Sequence, residues 1–306
     1  MAPRLGLGNS VTADPASGLF ASTPLLLDSY PNAHRAYSVR KLSKDYSGFA
    51  MKVREDDSGS NYTADVGFDD DGRVSASSPL SNKSAGSAAG DTLGAWATAG
   101  SYNTIQCTTW YDQSGEGVNA VQGIAGSQPK LYSSGSLNTE GDPARAALLF
   151  DGSNDLLTID ESGLSLGSTT AVVVFKHSDK LTNSVPWSLS YAIGNFFLNL
   201  NLSSVDQFWY DAGNVSSVTA TDTQKLFFYR GASGAQQLFV DGSAGTGTGT
   251  GTATDAFTDV ATNGIGGLST SLYQWEGEIQ EFIVYDSDQT ANRSDIEADV
   301  NTEFGL

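Results

Sequence analysis

The sequence is poor in the residues that build disulfides and transition-metal sites. It has one cysteine, Cys107, and two histidines, His34 and His177, among 306 residues. A single cysteine excludes an intramolecular disulfide, and so few histidines leave no His-rich metal site. Basic residues are also scarce, because 16 Lys and Arg stand against 35 Asp and Glu, for a net charge of -19. Such a surface repels phosphate and anionic lipid, so we expect no nucleic-acid partner and no membrane insertion.

Long apolar runs are missing as well. No stretch approaches the ~18 apolar residues of a membrane span, and the first residues lack the apolar core of a secretion signal. We therefore expect synthesis in a cytoplasm. Glycine is plentiful, with 34 residues, and hydrophobic residues make up 39% of the chain. This composition favours a globular domain with many tight turns over a disordered chain or one built from long helices.

Short segments of alternating or continuous apolar residues recur along the chain and predict strands. The clearest early strand is predicted over residues 103–111. A β-hairpin with a polar loop is predicted from the segments 50–54 and 64–68. Residues 33–40 carry apolar side chains at helical spacing and predict a helix, as do residues 290–304 before Gly305. The predicted fold class is all-β, an antiparallel β-sandwich with short peripheral helices.

The first 31 residues differ in composition from the rest of the chain. They are rich in Gly, Ser, Pro and Ala, and Pro3, Pro15, Pro24 and Pro31 interrupt them. Proline and glycine at this density favour an extended chain over a packed unit. We therefore predict an extended N-terminal arm over 1–31 and a β-sandwich over 32–306.

The second half of the sandwich resembles a known family. The segment Ala147-Leu-Leu-Phe-Asp-Gly-Ser-Asn-Asp-Leu-Leu-Thr-Ile159 is similar to the opening strands of laminin-G-like domains. The segment Trp275-Glu-Gly-Glu-Ile-Gln-Glu-Phe-Ile-Val-Tyr285 is similar to their closing strand. This resemblance implies a concanavalin A-like jelly roll with a laminin-G-like core over 145–306.

The first half resembles a different family. Residues 36–42, 51–54, 65–68 and above all Thr109-Trp-Tyr-Asp-Gln-Ser-Gly115 are similar to the N-terminal half of the α-L-arabinofuranosidase B catalytic domain. Similar segments occur in structural proteins of tailed phages, often ahead of a laminin-G-like sandwich. The resemblance assigns 32–144 to an arabinofuranosidase-like segment.

The Trp-Tyr-Asp-Gln-Ser-Gly string is the most specific motif in the chain, and its side chains suit two roles. In a structural role, Asp112 and Gln113 fold back on a turn that Gly115 closes, while Trp110 and Tyr111 pack on opposite faces. In the other role, these side chains contact a sugar. The structural role is our prediction.

Catalytic residues are harder to find. Sugar hydrolysis needs two carboxyl groups across a cleft, and Glu276, Glu278 and Glu281 are the candidates. Alternation along a strand puts Glu276 and Glu278 on one face and Glu281 on the other, unless a bulge intervenes. The catalytic acids of the arabinofuranosidase family lie in its C-terminal half, in segments that have no match in this sequence. The sequence therefore predicts a protein that is not an enzyme.

Acidic turns are the candidates for metal binding. Asp69, Asp70 and Asp71 precede Gly72, and Asp151 lies near Asp155. Carboxylate oxygens are the ligands that calcium prefers, so calcium is a possible cofactor at either place; the alternative is a solvated acidic turn. No other cofactor is predicted.

The phage resemblance, the arm and the acidic sandwich together predict a virion structural protein of a tailed phage. In this hypothesis it is a non-catalytic capsid or tail decoration protein, located in the virion and docked on other virion proteins through its arm. A homo-oligomer is expected, with a trimer as the candidate state. One alternative is a receptor-recognition protein of a tail fibre or appendage that binds host-surface glycans through Trp187, Tyr191, Trp209 and Tyr210. A lesser alternative is a glycoside hydrolase.

Overall fold

A computed structural model describes most of the chain. It covers residues 24–160, 168–178, 184–190, 195–201, 205–210, 213–219, 223–232, 237–245, 263–267 and 274–306. Across these ranges, no helix combines the length and the hydropathy needed to cross a membrane.

Strands are the commonest regular structure among the described residues, and they pair antiparallel. In chain order the strands are β1 (Ala33–Ser38), β2 (Met51–Glu55), β3 (Thr63–Val66), β4 (Leu80–Ser81), β5 (Ile105–Trp110), β6 (Ala120–Val121), β7 (Lys130–Ser133), β8 (Ser136–Leu137), β9 (Thr139–Glu140), β10 (Arg145–Ala146), β11 (Leu148–Asp151), β12 (Leu157–Thr158), β13 (Ser168–His177), β14 (Trp187–Ser190), β15 (Asn195–Asn201), β16 (Val205–Tyr210), β17 (Gly213–Thr219), β18 (Lys225–Ala232), β19 (Gln237–Val240), β20 (Ser243–Ala244), β21 (Gly264–Ile265) and β22 (Glu276–Tyr285). The α-helices are α1 (Leu26–Ser29), α2 (Leu93–Gly100) and α3 (Arg293–Phe304), with 3-10 turns at Ala125–Ser127 and Thr290–Asn292. The prediction of an all-β antiparallel sandwich is confirmed.

Strand β22 lies at the centre of the architecture. One of its edges pairs with β13 over most of its length. The other edge pairs with β11 along its first half and with β1 along its second half. Strand β22 therefore ties the N-terminal strands to the C-terminal half of the chain. Glycine is required at Gly277, where φ is +143° and a Cβ atom would overlap the carbonyl oxygen of Lys176 on β13.

The core is built from aromatic rings that come from distant strands. The ring of Phe282 on β22 lies 6.2 Å from that of Tyr37 on β1 and 5.1 Å from that of Trp187 on β14. Tyr37 also contacts Trp110 of β5 at 6.1 Å. All four side chains are buried. Burial of large aromatic side chains is a major source of stability, so these four strands are held as one unit.

Helix α3 covers the opposite face of the central strands. Its Ile296, Val300 and Phe304 recur every four residues, which puts them on one side of the helix, and all three are buried. The helix packs on β18 and ends at Gly305, whose φ of 70° lies in the left-handed region that commonly ends helices. The predicted C-terminal helix is confirmed.

The helix predicted within the first forty residues is wrong. Residues 33–38, predicted as part of a helix, form strand β1, because pairing with β22 and burial of Ala36 and Tyr37 override the local spacing. The described part of the predicted extended arm, 24–31, contains helix α1, and Leu26 and Leu27 are buried against the body. Residues 1–23 of the arm lie outside the described residues.

Candidate functional site

A cleft of about 880 Å³ opens where four separate parts of the chain meet. The parts are the segment from Pro24 to His34, the loop 43–46, the motif loop 113–116, and Asp286 at the end of β22. We call it the motif cleft. It is lined by Pro24, Leu27, Asp28, Pro31, Asn32, Ala33, His34, Ser43, Lys44, Asp45, Tyr46, Gln113, Ser114, Gly115, Glu116 and Asp286.

One buried carboxylate holds the motif loop in place. The Oδ1 atom of Asp112 accepts hydrogen bonds from the backbone N–H of Ala36 and of Ser114, each at 2.9 Å. Its Oδ2 atom accepts from the Ser114 hydroxyl at 2.7 Å and from the Val118 N–H at 3.2 Å. Asp112 thus joins β1 to both ends of the loop that walls the cleft.

The side-chain amide of Gln113 also anchors the motif loop, through hydrogen bonds to the backbone of residues 38–42. The Gln113 Oε1 atom accepts from the Leu42 N–H at 2.9 Å, and Nε2 donates to the carbonyls of Arg40 at 3.0 Å and Ser38 at 3.3 Å. Gly115 has a φ of +98°, a conformation that favours glycine. The polar atoms of Gln113 are therefore occupied by backbone groups, although the residue borders the cleft.

The two aromatic residues of the motif lie in different surroundings. Trp110 is buried, and its indole N–H donates to the Ser38 carbonyl at 3.3 Å. Tyr111 is half-buried and donates its hydroxyl proton to Asp65 at 2.8 Å. Neither residue lines the motif cleft, so the cleft receives Gln113, Ser114 and Gly115 from the motif.

Two side chains in the cleft have shifted pKa values. Burial, and secondarily the negative charge of Asp112, raises the pKa of Tyr46 to about 12. For Asp28, burial works to raise the pKa, but hydrogen bonds from the Lys44 and Leu25 amides and from the Ser43 hydroxyl outweigh it and lower the pKa overall. Asp28 is therefore an ionised carboxylate whose oxygens already have partners, and Tyr46 is a neutral phenol at physiological pH.

Three other carboxylates in the cleft have free oxygens. Within the described residues, the side chains of Asp45, Glu116 and Asp286 are exposed and make no hydrogen bond or ion pair. Free carboxylates beside a half-buried tyrosine can accept hydrogen bonds from ligand hydroxyl groups. Sequence reasoning missed these residues. The only signal was that Glu116 directly follows the motif, and nothing marked Asp45 or Asp286.

The aromatic residues predicted to stack on sugars do not line this cleft. Trp187 is packed inside the core, with 1% of its surface exposed, which leaves no ring face for a sugar. Trp209 and Tyr210 lie on β16, which pairs with β15 and β17. Tyr191 lies outside the described residues.

The residues predicted to bind calcium lie in turns, where carboxylate oxygens accept hydrogen bonds from neighbouring groups. Asp69 Oδ1 accepts from the backbone N–H of Asp71 and Arg73, and Oδ2 accepts from the Ser75 hydroxyl. Asp70 is exposed beside them. In the described part of the chain, no three His, Cys, Asp or Glu side chains are grouped as a metal site would require.

The second predicted calcium pair is also engaged by the backbone. Asp151 Oδ1 accepts from the Ser153 N–H at 2.8 Å, and Asp155 accepts from the Asp151 N–H at 3.0 Å. Burial, together with the nearby Asp151 charge, raises the pKa of Asp155 to about 7. A carboxyl group in this environment is half-protonated near neutral pH.

The glutamates of β22 do not follow the strict alternation of faces that the sequence predicted for this strand. A β-bulge at Gln280 shifts the register between Glu281 and Ile279, so Glu278 and Glu281 point to the same face of the sheet. Glu281 is fully buried, and it accepts hydrogen bonds from Arg40 and Ser38 at 2.7 to 3.0 Å. Its carboxylate is therefore occupied by an internal ion pair.

Glu278 lies in a different environment. It lies opposite Lys176 of β13, whose ammonium donates to Glu140 at 2.8 Å. Glu278 Oε2 is buried and has no hydrogen-bond partner among the residues that the structure describes. Burial raises the pKa of Glu278; Lys176 opposes this shift, and the charge of Glu140 adds to it. Glu140 and Lys176 border a second cavity of about 460 Å³.

Comparisons with known proteins identify the fold. Neither protein-family models nor curated protein sequences give a match. Among solved structures, GH54 α-L-arabinofuranosidases match with TM-scores of 0.53 and 0.56 at 14% and 13% identity, covering 89% of this chain and 63% of theirs. One matching arabinofuranosidase structure is a complex with arabinofuranosyl-α-1,2-xylobiose. A Trypanosoma rangeli sialidase matches with a TM-score of 0.45 at 16% identity, covering 64% of this chain and 31% of that one.

The arabinofuranosidase structures confirm the arabinofuranosidase resemblance at the level of fold and extend it beyond residues 32–144. The chain spans less than two thirds of the length of either neighbour. At such low identity the likeness shows the fold alone.

The arabinofuranosidase structures contradict two predictions. The chain was expected to be a non-catalytic virion structural protein of a tailed phage, and it was expected not to be an enzyme. The structures that share its fold over nine tenths of its length are glycosidases. The phage resemblance finds no support in the comparisons.

Proposed function

We propose that this chain is a carbohydrate-binding protein built on a glycosidase-type β-sandwich, with the motif cleft as its saccharide site. The observation that carries the proposal is the cleft wall itself. Asp112 fixes the motif loop to β1 through four hydrogen bonds, and Glu116 of this loop lines the cleft together with Tyr46, Asp45 and Asp286. A rigid wall with unpaired polar groups binds at a lower entropic cost than a mobile one.

The size and chemistry of the cleft support this proposal. A volume of about 880 Å³ falls in the ~300–1,000 Å³ range of small-molecule sites. Sugars present many hydroxyl donors, and the free carboxylates of Asp45, Glu116 and Asp286 are strong acceptors for them. The arabinofuranosidase neighbours make arabinose-containing oligosaccharides the first ligands to try.

Isothermal titration calorimetry with a panel of arabino-, xylo- and gluco-oligosaccharides tests the proposal. We expect at least one saccharide to bind the wild-type chain. Replacing Glu116 or Asp45 by Ala should then weaken binding about tenfold, the effect of losing one charge-assisted hydrogen bond. The matched control is Asp70→Ala, which removes an exposed carboxylate outside the cleft. Absence of binding at millimolar saccharide, or binding that the cleft substitutions leave unchanged, would refute the proposal.

A second candidate function is glycoside hydrolysis, favoured by the pair Glu278 and Glu140. A carboxyl group with a raised pKa is suited to protonate a glycosidic oxygen, and a nearby carboxylate is suited to activate water. Glu278 has the raised pKa, and Glu140 is the carboxylate that Lys176 holds by an ion pair.

The hydrolysis hypothesis has its own test. Release of reducing sugar from arabinoxylan should fall at least a hundredfold in Glu278→Gln and in Glu140→Gln. Glu276→Gln is the control, because this half-buried residue lies on the same strand and outside the pair. If the wild-type chain releases no sugar, or if the two substitutions leave the rate unchanged, this pair is not catalytic.

A further inference from the structure

We propose that the motif cleft selects uncharged saccharides and rejects saccharides that carry carboxylates, and that Asp45, Glu116 and Asp286 set this selectivity. The inference rests on the proposed function, since it names the class of ligand for the same cleft. It concerns the charge of the ligand rather than the identity of its sugars.

The charges that face the cleft are strongly unbalanced. Four carboxylates line it, from Asp28, Asp45, Glu116 and Asp286, against the single ammonium of Lys44. Lys44 is already committed, because its Nζ atom lies 3.8 Å from Asp28 Oδ2. Two further cations lie just outside the lining: the Lys41 ammonium donates to the Lys44 carbonyl at 3.2 Å, and the Arg35 guanidinium donates to the His34 carbonyl at 2.6 Å. Among the described residues, the other three carboxylates form no ion pair with any of these cations. A ligand carboxylate placed in the cleft would meet like charges on several sides.

The rest of the protein reinforces this field instead of cancelling it. The chain carries a net charge of -19, so no distant excess of positive charge offsets the cleft. Two of the three free carboxylates have a fixed backbone: Glu116 N–H donates to the Ser114 hydroxyl and Asp45 N–H donates to the Ser43 hydroxyl. The side chains are exposed, but the fixed backbone keeps their attachment points at the rim of the cleft, so their charges remain in its vicinity.

The size of the effect follows from Coulomb's law. Two like charges about 6 Å apart in water repel enough to reduce an association constant roughly threefold at low salt. Three such carboxylates give a discrimination of about 10- to 30-fold, and exclusion of water from the cleft increases it. At about 0.5 M salt the Debye length is shorter than these separations, so most of the discrimination should disappear.

The experiment uses two ligands that differ in one substituent. Xylotetraose with an arabinofuranosyl branch is the neutral ligand, and xylotetraose with a glucuronosyl branch is the acidic one. Their dissociation constants are measured by calorimetry on the full chain at pH 8, where histidine is neutral. In 50 mM NaCl we expect the neutral ligand to bind at least tenfold more tightly, and the ratio to fall to about threefold or less in 500 mM NaCl.

Substitutions then assign the effect to the three residues. The variant Asp45→Asn, Glu116→Gln, Asp286→Asn should bring the ratio at low salt to about threefold or less, because each amide keeps the size of the side chain and removes its charge. Thermal unfolding confirms that the variant is folded, as expected for exposed positions.

A matched variant removes the same total charge elsewhere. Asp70→Asn, Asp71→Asn, Asp91→Asn alters three carboxylates that do not line the motif cleft, and the ligand ratio should stay at its wild-type value. Equal or tighter binding of the acidic ligand by wild type would overturn this inference and leave the proposed function standing. A ratio that the cleft variant leaves unchanged would also overturn it. If neither ligand binds although the saccharide panel contains a binder, the inference is overturned and the proposed function stands; if no saccharide of the panel binds, the proposed function fails as well.

Discussion

Replacing Asp112 by Ala should be among the most destabilising substitutions in the N-terminal half of the chain. Asp112 is 5% exposed and accepts four hydrogen bonds, from Ala36 N–H, Ser114 N–H, the Ser114 hydroxyl and Val118 N–H. The alanine variant leaves the Ala36 N–H inside the core without a partner, while the loop donors can turn toward water.

The magnitude can be worked from these contacts. One buried N–H left without a partner costs about 1–3 kcal/mol, and each of the three hydrogen bonds lost at the loop contributes roughly 0.5–1.5 kcal/mol net, because its donor can bond to water instead. We therefore expect Asp112→Ala to lower the free energy of unfolding by about 3–7 kcal/mol. Asp112→Asn keeps one acceptor oxygen and should cost about half as much.

Urea unfolding followed by tryptophan fluorescence measures this loss. Glu116→Ala is the control, because Glu116 lies in the same loop with an exposed, unpaired side chain. The control should change the free energy of unfolding by less than about 0.5 kcal/mol. A loss below about 1 kcal/mol in Asp112→Ala, with an unchanged dependence on urea, would show that the motif loop does not depend on this carboxylate.

Three further predictions follow from buried groups outside the cleft. Glu281→Gln should cost about 3 kcal/mol in urea unfolding, because it leaves the buried Arg40 guanidinium with only Asp299 as a charged partner; an unchanged midpoint would contradict this. Asp155→Asn should stabilise the fold by about 1–3 kcal/mol at pH 8 and have little effect near pH 4. The pKa of Asp155 is raised to about 7 in the folded state, whereas the same carboxyl group ionises near pH 4 in the unfolded chain. The free energy of unfolding of the wild type should therefore fall as pH rises from about 4 to about 7. Parallel pH profiles for wild type and Asp155→Asn would refute this prediction. Cys107 should resist a thiol reagent in the native state and react in urea, because burial raises the pKa of its thiol; rapid native labelling would show that β5 is open.

The strands and helices that were predictable share one property: their secondary structure follows the local spacing of apolar residues, and tertiary contacts do not override it. The alternation over 103–111 predicted β5, and the spacing of Ile296, Val300 and Phe304 predicted α3. Residues 33–38 follow a helical spacing that is equally regular, yet they form β1. Their partner is β22, some 245 residues later, and local spacing carries no information about such a pairing.

The candidate site was less predictable than the fold. The bonds of Asp112 to Ser114 and Val118 followed from the motif, because Asp side chains commonly bond to nearby backbone. Gln113 instead bonds to the backbone of residues 38–42, more than 70 positions earlier, and the motif gave no sign of these partners. The cleft itself brings together Asp28, Asp45, Glu116 and Asp286, which are far apart in the chain. Their proximity depends on the path of the whole backbone. Similarly, the bulge at Gln280 decides which glutamates share a face, and no local signal marks it.

The most direct test of the account is a crystal structure of the chain with a saccharide that calorimetry has shown to bind. The account predicts an ordered sugar in the motif cleft, with its hydroxyl groups within hydrogen-bond distance of Glu116 or Asp45 and its ring near Tyr46. A sugar bound elsewhere on the protein, with the motif cleft filled only by water, would contradict the central claim.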